Sequence, residues 1–205
     1  MSKRVLVDYI GSITVSPSEI NESMNKNNGK LIVSGIMQRG SSDDDKNFNQ
    51  NGRSYPLPIL KKETENYKGT FVKERRALGE LDHPDSQVVN LSNVSHNIVD
   101  LWWQGNDLMG KLEILSTPSG NIAKELLKSG IRLGISSRGM GSVKELGEGK
   151  VEVQNDFEIV CWDLVSNPST QGAFMNASLN ENTIGSSNNK YSKINSLISE
   201  IISVM

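Results

Sequence analysis

The sequence predicts an α+β or mainly β fold built on a barrel-like sheet. Three observations lead there. Short runs rich in β-branched residues recur along the chain, bounded by Gly, Asn, Ser and Pro. One of them forms a clear hairpin, and only two segments carry helical punctuation. No internal repeat is visible.

Residues 4–15 (Arg-Val-Leu-Val-Asp-Tyr-Ile through Ile-Thr-Val) read as a strand pair or one broken strand. Residues 16–29, made of Ser, Pro, Asn, Gly and Lys with few apolar positions, read as a polar connection. Residues 30–38 read as a strand with Gly35 marking a bulge. Residues 39–53 are hydrophilic, with Phe48 the sole core-forming type, and predict a loop. From Pro56 to Tyr67, Leu57, Leu60 and Tyr67 fall near helical spacing, and Pro56 suits a first turn. Ile98–Trp103 and Leu108–Leu115 flank Gln-Gly-Asn-Asp, which is a hairpin pattern. Thr117 as N-cap, Pro118 as first residue, Ile122, Leu126 and Leu127 as apolar face and Gly130 as stop predict a helix. Residues 131–136 and 151–165 read as further strands.

Residues 1–178 are read as one domain and 179–205 as a polar linker and tail. In that tail Ile194, Leu197, Ile198, Ile201, Ile202 and Met205 form a narrow apolar stripe at helical spacing. It reads as a helix docked on its own domain, or as a detachable segment that engages a partner or is cut away.

An apolar fraction of 36% is low for a wholly packed chain of 205 residues, so part of it is expected to be polar and unpacked. With 22 basic and 24 acidic residues and no basic face interleaved with aromatics, nucleic-acid binding is disfavoured. Cys161 is the only cysteine, which excludes an intrachain disulfide and fits a reducing compartment. No apolar run approaches the ~20 residues that span a bilayer, and the N-terminal run meets Asp8 and Gly11 too soon for a signal peptide. A soluble cytoplasmic chain is expected. Two histidines 13 positions apart (96 − 83) and one cysteine give no closed metal site. Asp43-Asp-Asp45 lacks the glycine and distal glutamate of a calcium hand. The glycines form no phosphate-binding pattern, so neither a metal nor a cofactor is expected.

The chemistry-bearing residues lie in three segments: Gly79-Glu-Leu-Asp-His83-Pro, Gly134-Ile-Ser-Ser-Arg-Gly139 and Cys161-Trp-Asp163-Leu. A serine hydroxyl becomes a useful nucleophile when a base takes its proton. Imidazole titrates near working pH, and an acid on its second nitrogen fixes the tautomer. The chain offers His83 or His96 as base, Ser136 or Ser137 as nucleophile and Asp163 as acceptor. His96, opening the hairpin, reads as structural. Taken alone, Ser-Ser-Arg-Gly is as readily a strand end and turn. It is not a nucleophile elbow, because Arg138 stands where the second glycine would be.

Five stretches in order, Asn51–Pro56, Ala77–Pro84, Leu101–Asp107, Gly134–Gly139 and Trp162–Ser169, resemble the prohead core proteases of tailed bacteriophages. They cover roughly residues 30–175. That family resembles the herpesvirus assemblins. The resemblance implies a mainly antiparallel, closed β-barrel flanked by helices. It implies His83 as base, Ser136 as nucleophile and Asp163 as third member, with Asp82, Asp85 and Glu80 as rivals for that last role. Ser137, Arg138 and Gly139 become candidates for the oxyanion or substrate contacts, together with the loop Ser166–Gly172.

The implied activity is a serine endopeptidase of capsid maturation, working inside the viral prohead in the host cytoplasm. It would digest phage scaffold and core proteins, trim capsid proteins, and cleave after Glu in a Leu/Ile-x-Glu context. Ile20-Asn-Glu22, Leu179-Asn-Glu181 and Ile198-Ser-Glu200 fit that context and suggest self-cleavage, although Leu78-Gly-Glu80 and Leu146-Gly-Glu148 fit it too. No nucleic-acid or membrane partner is expected, and homo-oligomerisation stays open. The rival readings are a non-enzymatic, scaffold-binding component of the prohead core and a small-molecule esterase.

Overall fold

The structure, a computed structural model, describes residues 4–13, 17–82, 84, 86–166 and 174–177. Strand β1 (Arg4–Ile13) lies where it is expected. The polar stretch after it is not a connection but contains helix α1 (Pro17–Lys26). Among its described side chains the one fully buried apolar residue is Ile20, with Met24 one turn on. Buried Ser23 adds an anchor, its hydroxyl donating to the Ile32 carbonyl at 3.0 Å. Strand β2 (Leu31–Arg39) alternates buried and half-buried residues. Its irregularity falls between Ile36 and Gln38, whereas Gly35 pairs regularly with Gly110.

A two-residue strand β3 (Arg53–Ser54) precedes helix α2 (Leu57–Tyr67), with Pro56 as its N-cap. The helix runs on into a π-helical turn, Lys68–Val72. Strand β4 (Leu78–Glu80) follows, and a 3₁₀ turn, Leu91–Asn93, leads into the hairpin of β5 (Val94–Gln104) and β6 (Asp107–Ile114). Helix α3 (Pro118–Lys128) begins as predicted, the Thr117 hydroxyl accepting from the Gly120 amide at 3.0 Å. Its buried face is Gly120, Ala123 and Leu127, and Ile122 points outward at 54% exposure. The remaining strands are β7 (Leu133–Gly141), β8 (Val143–Gly147), β9 (Lys150–Val153), β10 (Glu158–Val165) and β11 (Phe174–Ala177). The strand expected over 151–165 is therefore two strands, parted by a turn closed by the Phe157 amide on the Gln154 carbonyl at 3.1 Å.

Eight strands form one sheet in the order β10-β7-β1-β11-β2-β6-β5-β4, and β3-β9-β8 form a second. The expectation of a closed barrel is overturned, because among the described residues neither sheet closes on itself. The end strands β4 and β10 are not joined by a ladder. Beyond β4 there is a single backbone bridge, Leu81 to Leu164, with the Asp82 amide on the Leu164 carbonyl at 2.8 Å. The physical reason lies in the groups that occupy this seam. The Trp162 carbonyl is taken by the His96 imidazole at 3.1 Å. The Glu80 amide is taken by the Asp163 carboxylate at 2.9 Å. Side chains satisfy backbone groups that a closing ladder would pair with each other.

The core is one continuous cluster that includes Leu6, Val33, Ile98, Leu112, Ile135 and Trp162, all essentially without solvent contact. No helix among the described residues is long and apolar enough to cross a membrane. The tail stripe and the boundary near residue 178 lie outside the described residues.

Candidate active site

Strand β7 carries the Ser-Ser-Arg-Gly motif, and two neighbours fix its orientation. Ser136 pairs with Tyr9 on β1 and with Asp163 on β10. Residues directly opposite in an antiparallel pair project to the same face with Cβ atoms about 5 Å apart. Ser136 and Asp163 therefore stand side by side, with Arg138, two residues on, sharing their face. Ser137 projects to the other face, opposite Trp162. Both serines are buried, and among the described residues neither hydroxyl has a hydrogen-bond partner.

Arg138 is fully buried. Its Nε donates to Asp163 Oδ2 at 2.6 Å and one terminal nitrogen to Asp163 Oδ1 at 3.1 Å. The same nitrogen donates to Glu80 Oε1 at 2.6 Å, and the other terminal nitrogen to the Ser86 carbonyl at 2.9 Å. Burial alone would discourage its charge, but the hydrogen bond to Asp163 and the neighbouring anions raise its pKa above the usual arginine value. Glu80 Oε1 also accepts from the Asn90 amide at 3.0 Å. The Cys161 thiol donates to Asp163 Oδ1 at 3.4 Å, and burial with Asp163 nearby pushes its pKa well up, so it stays a thiol.

Asp163 thus gathers the Glu80 amide, the Arg138 fork and the Cys161 thiol. At Asp82 the backbone takes a left-handed conformation, φ 66°, after which His83 follows in sequence. His83 and Asp85 lie outside the described residues, as do residues 167–172 of the loop named as an oxyanion candidate. Gly139 lies under the Phe157 ring, where an added Cβ would come within 2.4 Å of a ring carbon.

His96 is completely buried on β5. The Trp162 carbonyl can only accept, so Nε2 carries the proton, and Nδ1 accepts from the Ser95 hydroxyl at 2.9 Å. Burial lowers its pKa from 6.5 to about 4, against an opposing pull from Asp163 and the Trp162 carbonyl. A depressed folded-state pKa means that the unfolded chain takes up the proton first. Stability is therefore full above pH 6.5 and declines as the pH falls toward 4, by about 3 kcal/mol in total. Thermal denaturation between pH 7.5 and pH 4.5 should show this slope, and His96→Gln should flatten it.

A groove of about 550 Å³ opens farther along β7 and β10, between Tyr67, Phe71, Val88, Leu91, Met140 and Ile159. Sequence reasoning missed it because Val88 and Leu91 sit in an irregular segment without periodicity. No group of three or more His, Cys, Asp and Glu among the described residues is placed to hold a metal ion.

Comparison with known proteins gives a consistent result. The sequence model of the family described as prohead core protein serine protease matches residues 8–184. The prohead core protein protease of Enterobacteria phage T4 is 35% identical over 149 residues, 71% of this chain and 68% of that protein. The structure of the bacteriophage T4 capsid assembly protease matches with a TM-score of 0.67 at 25% identity, over 82% of this chain and all of that one. The chain belongs to the prohead core serine proteases, the bacteriophage enzymes of capsid maturation.

Proposed function

We propose that the chain is a serine endopeptidase in which Ser136 is the nucleophile, His83 the general base and Asp163 the acid that orients it. The observation that carries this reading is the Ser136 hydroxyl, which is buried, has no partner among the described residues, and belongs to the residue directly across from Asp163. A buried hydroxyl without a partner costs stability and calls for a reason. Holding a nucleophile ready for an incoming imidazole and carbonyl supplies one.

The other histidine is poorly suited to be the base. His96 has both ring nitrogens engaged and no solvent access. His83 follows a segment whose Glu80 amide is already bonded to Asp163. One guanidinium faces two carboxyl side chains here. That charge balance favours the imidazolium that forms as His83 takes the serine proton.

The backbone of Ser137, Arg138 and Gly139 is paired with both β1 and β10, which favours oxyanion donors from the loop Ser166–Gly172 over those amides. The Arg138 side chain is committed elsewhere.

The substrates are phage scaffold and core proteins, which the enzyme digests, and capsid proteins, which it trims, inside the prohead. It cleaves after Glu and releases its own 179–205 tail, and residues 1–178 form the protease domain. The printed descriptions of the T4 relatives, a prohead core protein protease and a capsid assembly protease, support this setting.

A small phosphonylating reagent needs the same access as a peptide carbonyl and tests the assignment. Peptide mapping should find one adduct per chain, on Ser136. An adduct on a different serine of a cleaving enzyme would refute the choice of nucleophile.

A further inference from the structure

We propose that Arg138 is a positioning residue that locks the His83 segment to the nucleophile strand from both sides, an inference that rests on the reading of Ser136 and His83 above. Upstream of His83 the guanidinium grips the Glu80 carboxylate at 2.6 Å. Through Asp163, which it holds at 2.6 Å, it also fixes the Glu80 amide. Downstream of His83 it grips the Ser86 carbonyl at 2.9 Å. The histidine thus lies between two points tied to one side chain, and that side chain stands two residues from Ser136 on a strand paired on both edges.

A guanidinium offers five donors in a rigid fork, so three partners can be held in one geometry. A lysine ammonium is a point charge on a flexible stem and cannot reproduce that. Glu80, Arg138 and Asp163 are shielded from water and Ser86 is half-buried, so the bonds among the first three work at low local dielectric. Ser136 shares its strand with Arg138, and Glu80 and Ser86 flank position 83 along the chain, so the network ties the two together.

A misplacement of about 1 Å between base and nucleophile can cost 100-fold in rate. Glu80→Ala keeps the Arg138–Asp163 pair and should fold. It is expected to lower kcat by about 10- to 100-fold with KM within about twofold, and to speed amide hydrogen exchange across residues 80–90. Glu80→Gln keeps an acceptor oxygen on Arg138, and its amide nitrogen takes the place of Glu80 Oε2, which has no partner among the described residues. It should restore kcat to within about threefold of the parent and return the exchange to slow. Arg138→Lys should lose about 100-fold.

Unchanged kcat in Glu80→Ala would overturn the proposal. So would a loss of rate with unchanged exchange at 80–90, or a loss that Glu80→Gln does not restore, which would assign the effect to charge rather than position. Exchange is read without any substrate. A chain that still cleaved as Ser136→Ala would therefore refute the nucleophile, while the grip on residues 80–90 would be judged separately.

Discussion

Ser136→Ala should abolish cleavage of scaffold and capsid proteins and leave the fold as stable as before. Comparable losses of a serine nucleophile cost about 10⁶ in kcat in a well-studied protease, so products should vanish from any practical assay. Stability should hardly change, because the hydroxyl removed is buried and has no hydrogen-bond partner among the described residues. Deleting an unsatisfied polar atom forfeits no hydrogen bond. The melting temperature should stay within about 2 °C, since ~1 kcal/mol shifts a chain of this size by about 2–4 °C. The result would then be free of the usual objection that a dead variant is merely unfolded. Ser137→Ala is the control, projecting to the other face and keeping its amide in the ladder. It should retain activity. Cleavage by Ser136→Ala at the parental rate would exclude Ser136 as the nucleophile.

Gly79→Ala should damage stability and activity together. A Cβ at Gly79 would lie 2.1 Å from the Trp162 carbonyl oxygen and 2.4 Å from the His96 ring. Neither can step aside. The carbonyl belongs to β10, and the imidazole is buried and bonded at both nitrogens. The methyl must therefore push β4 off β10, separating the Glu80 amide from Asp163 and the Asp82 amide from the Leu164 carbonyl. Overpacking typically costs ~1–3 kcal/mol, and a clash with backbone puts this case at the upper end or beyond. A fall in melting temperature near 10 °C is expected, with cleavage reduced even where the chain remains folded. A melting temperature within about 2 °C of the parent would mean that the strands are not so close.

The parts of this architecture legible in the sequence were those written in local patterns. The β5–β6 hairpin showed through its turn residues, and α3 through Thr117, Pro118 and Gly130. The strand at residues 31–39 showed as one of the short runs of Leu, Ile and Val that recur along the chain. Helix α1 stayed hidden because it places only Ile20 and Met24 toward the core, and Ser23 anchors it by a hydroxyl that no periodicity reveals. Nor does alternation say whether a sheet closes. Openness was decided by where His96 and Asp163 put their polar atoms. At the candidate site, the sequence motifs named Ser136 and Asp163, which the structure sets opposite each other. Arg138 drew attention only as a neighbour of Ser136. Its partners lie 25, 52 and 58 positions away, distances over which a lone sequence carries no pairing signal.

The seam between β4 and β10 has a consequence for heredity. A backbone ladder tolerates almost any side chain, so its residues drift independently over generations. Here the two edges meet through an imidazole, a carboxylate and a missing side chain, at His96, Asp163 and Gly79. A change at one strands the others, and these positions, with Glu80 and Arg138, are bound to vary as a set or to stay fixed.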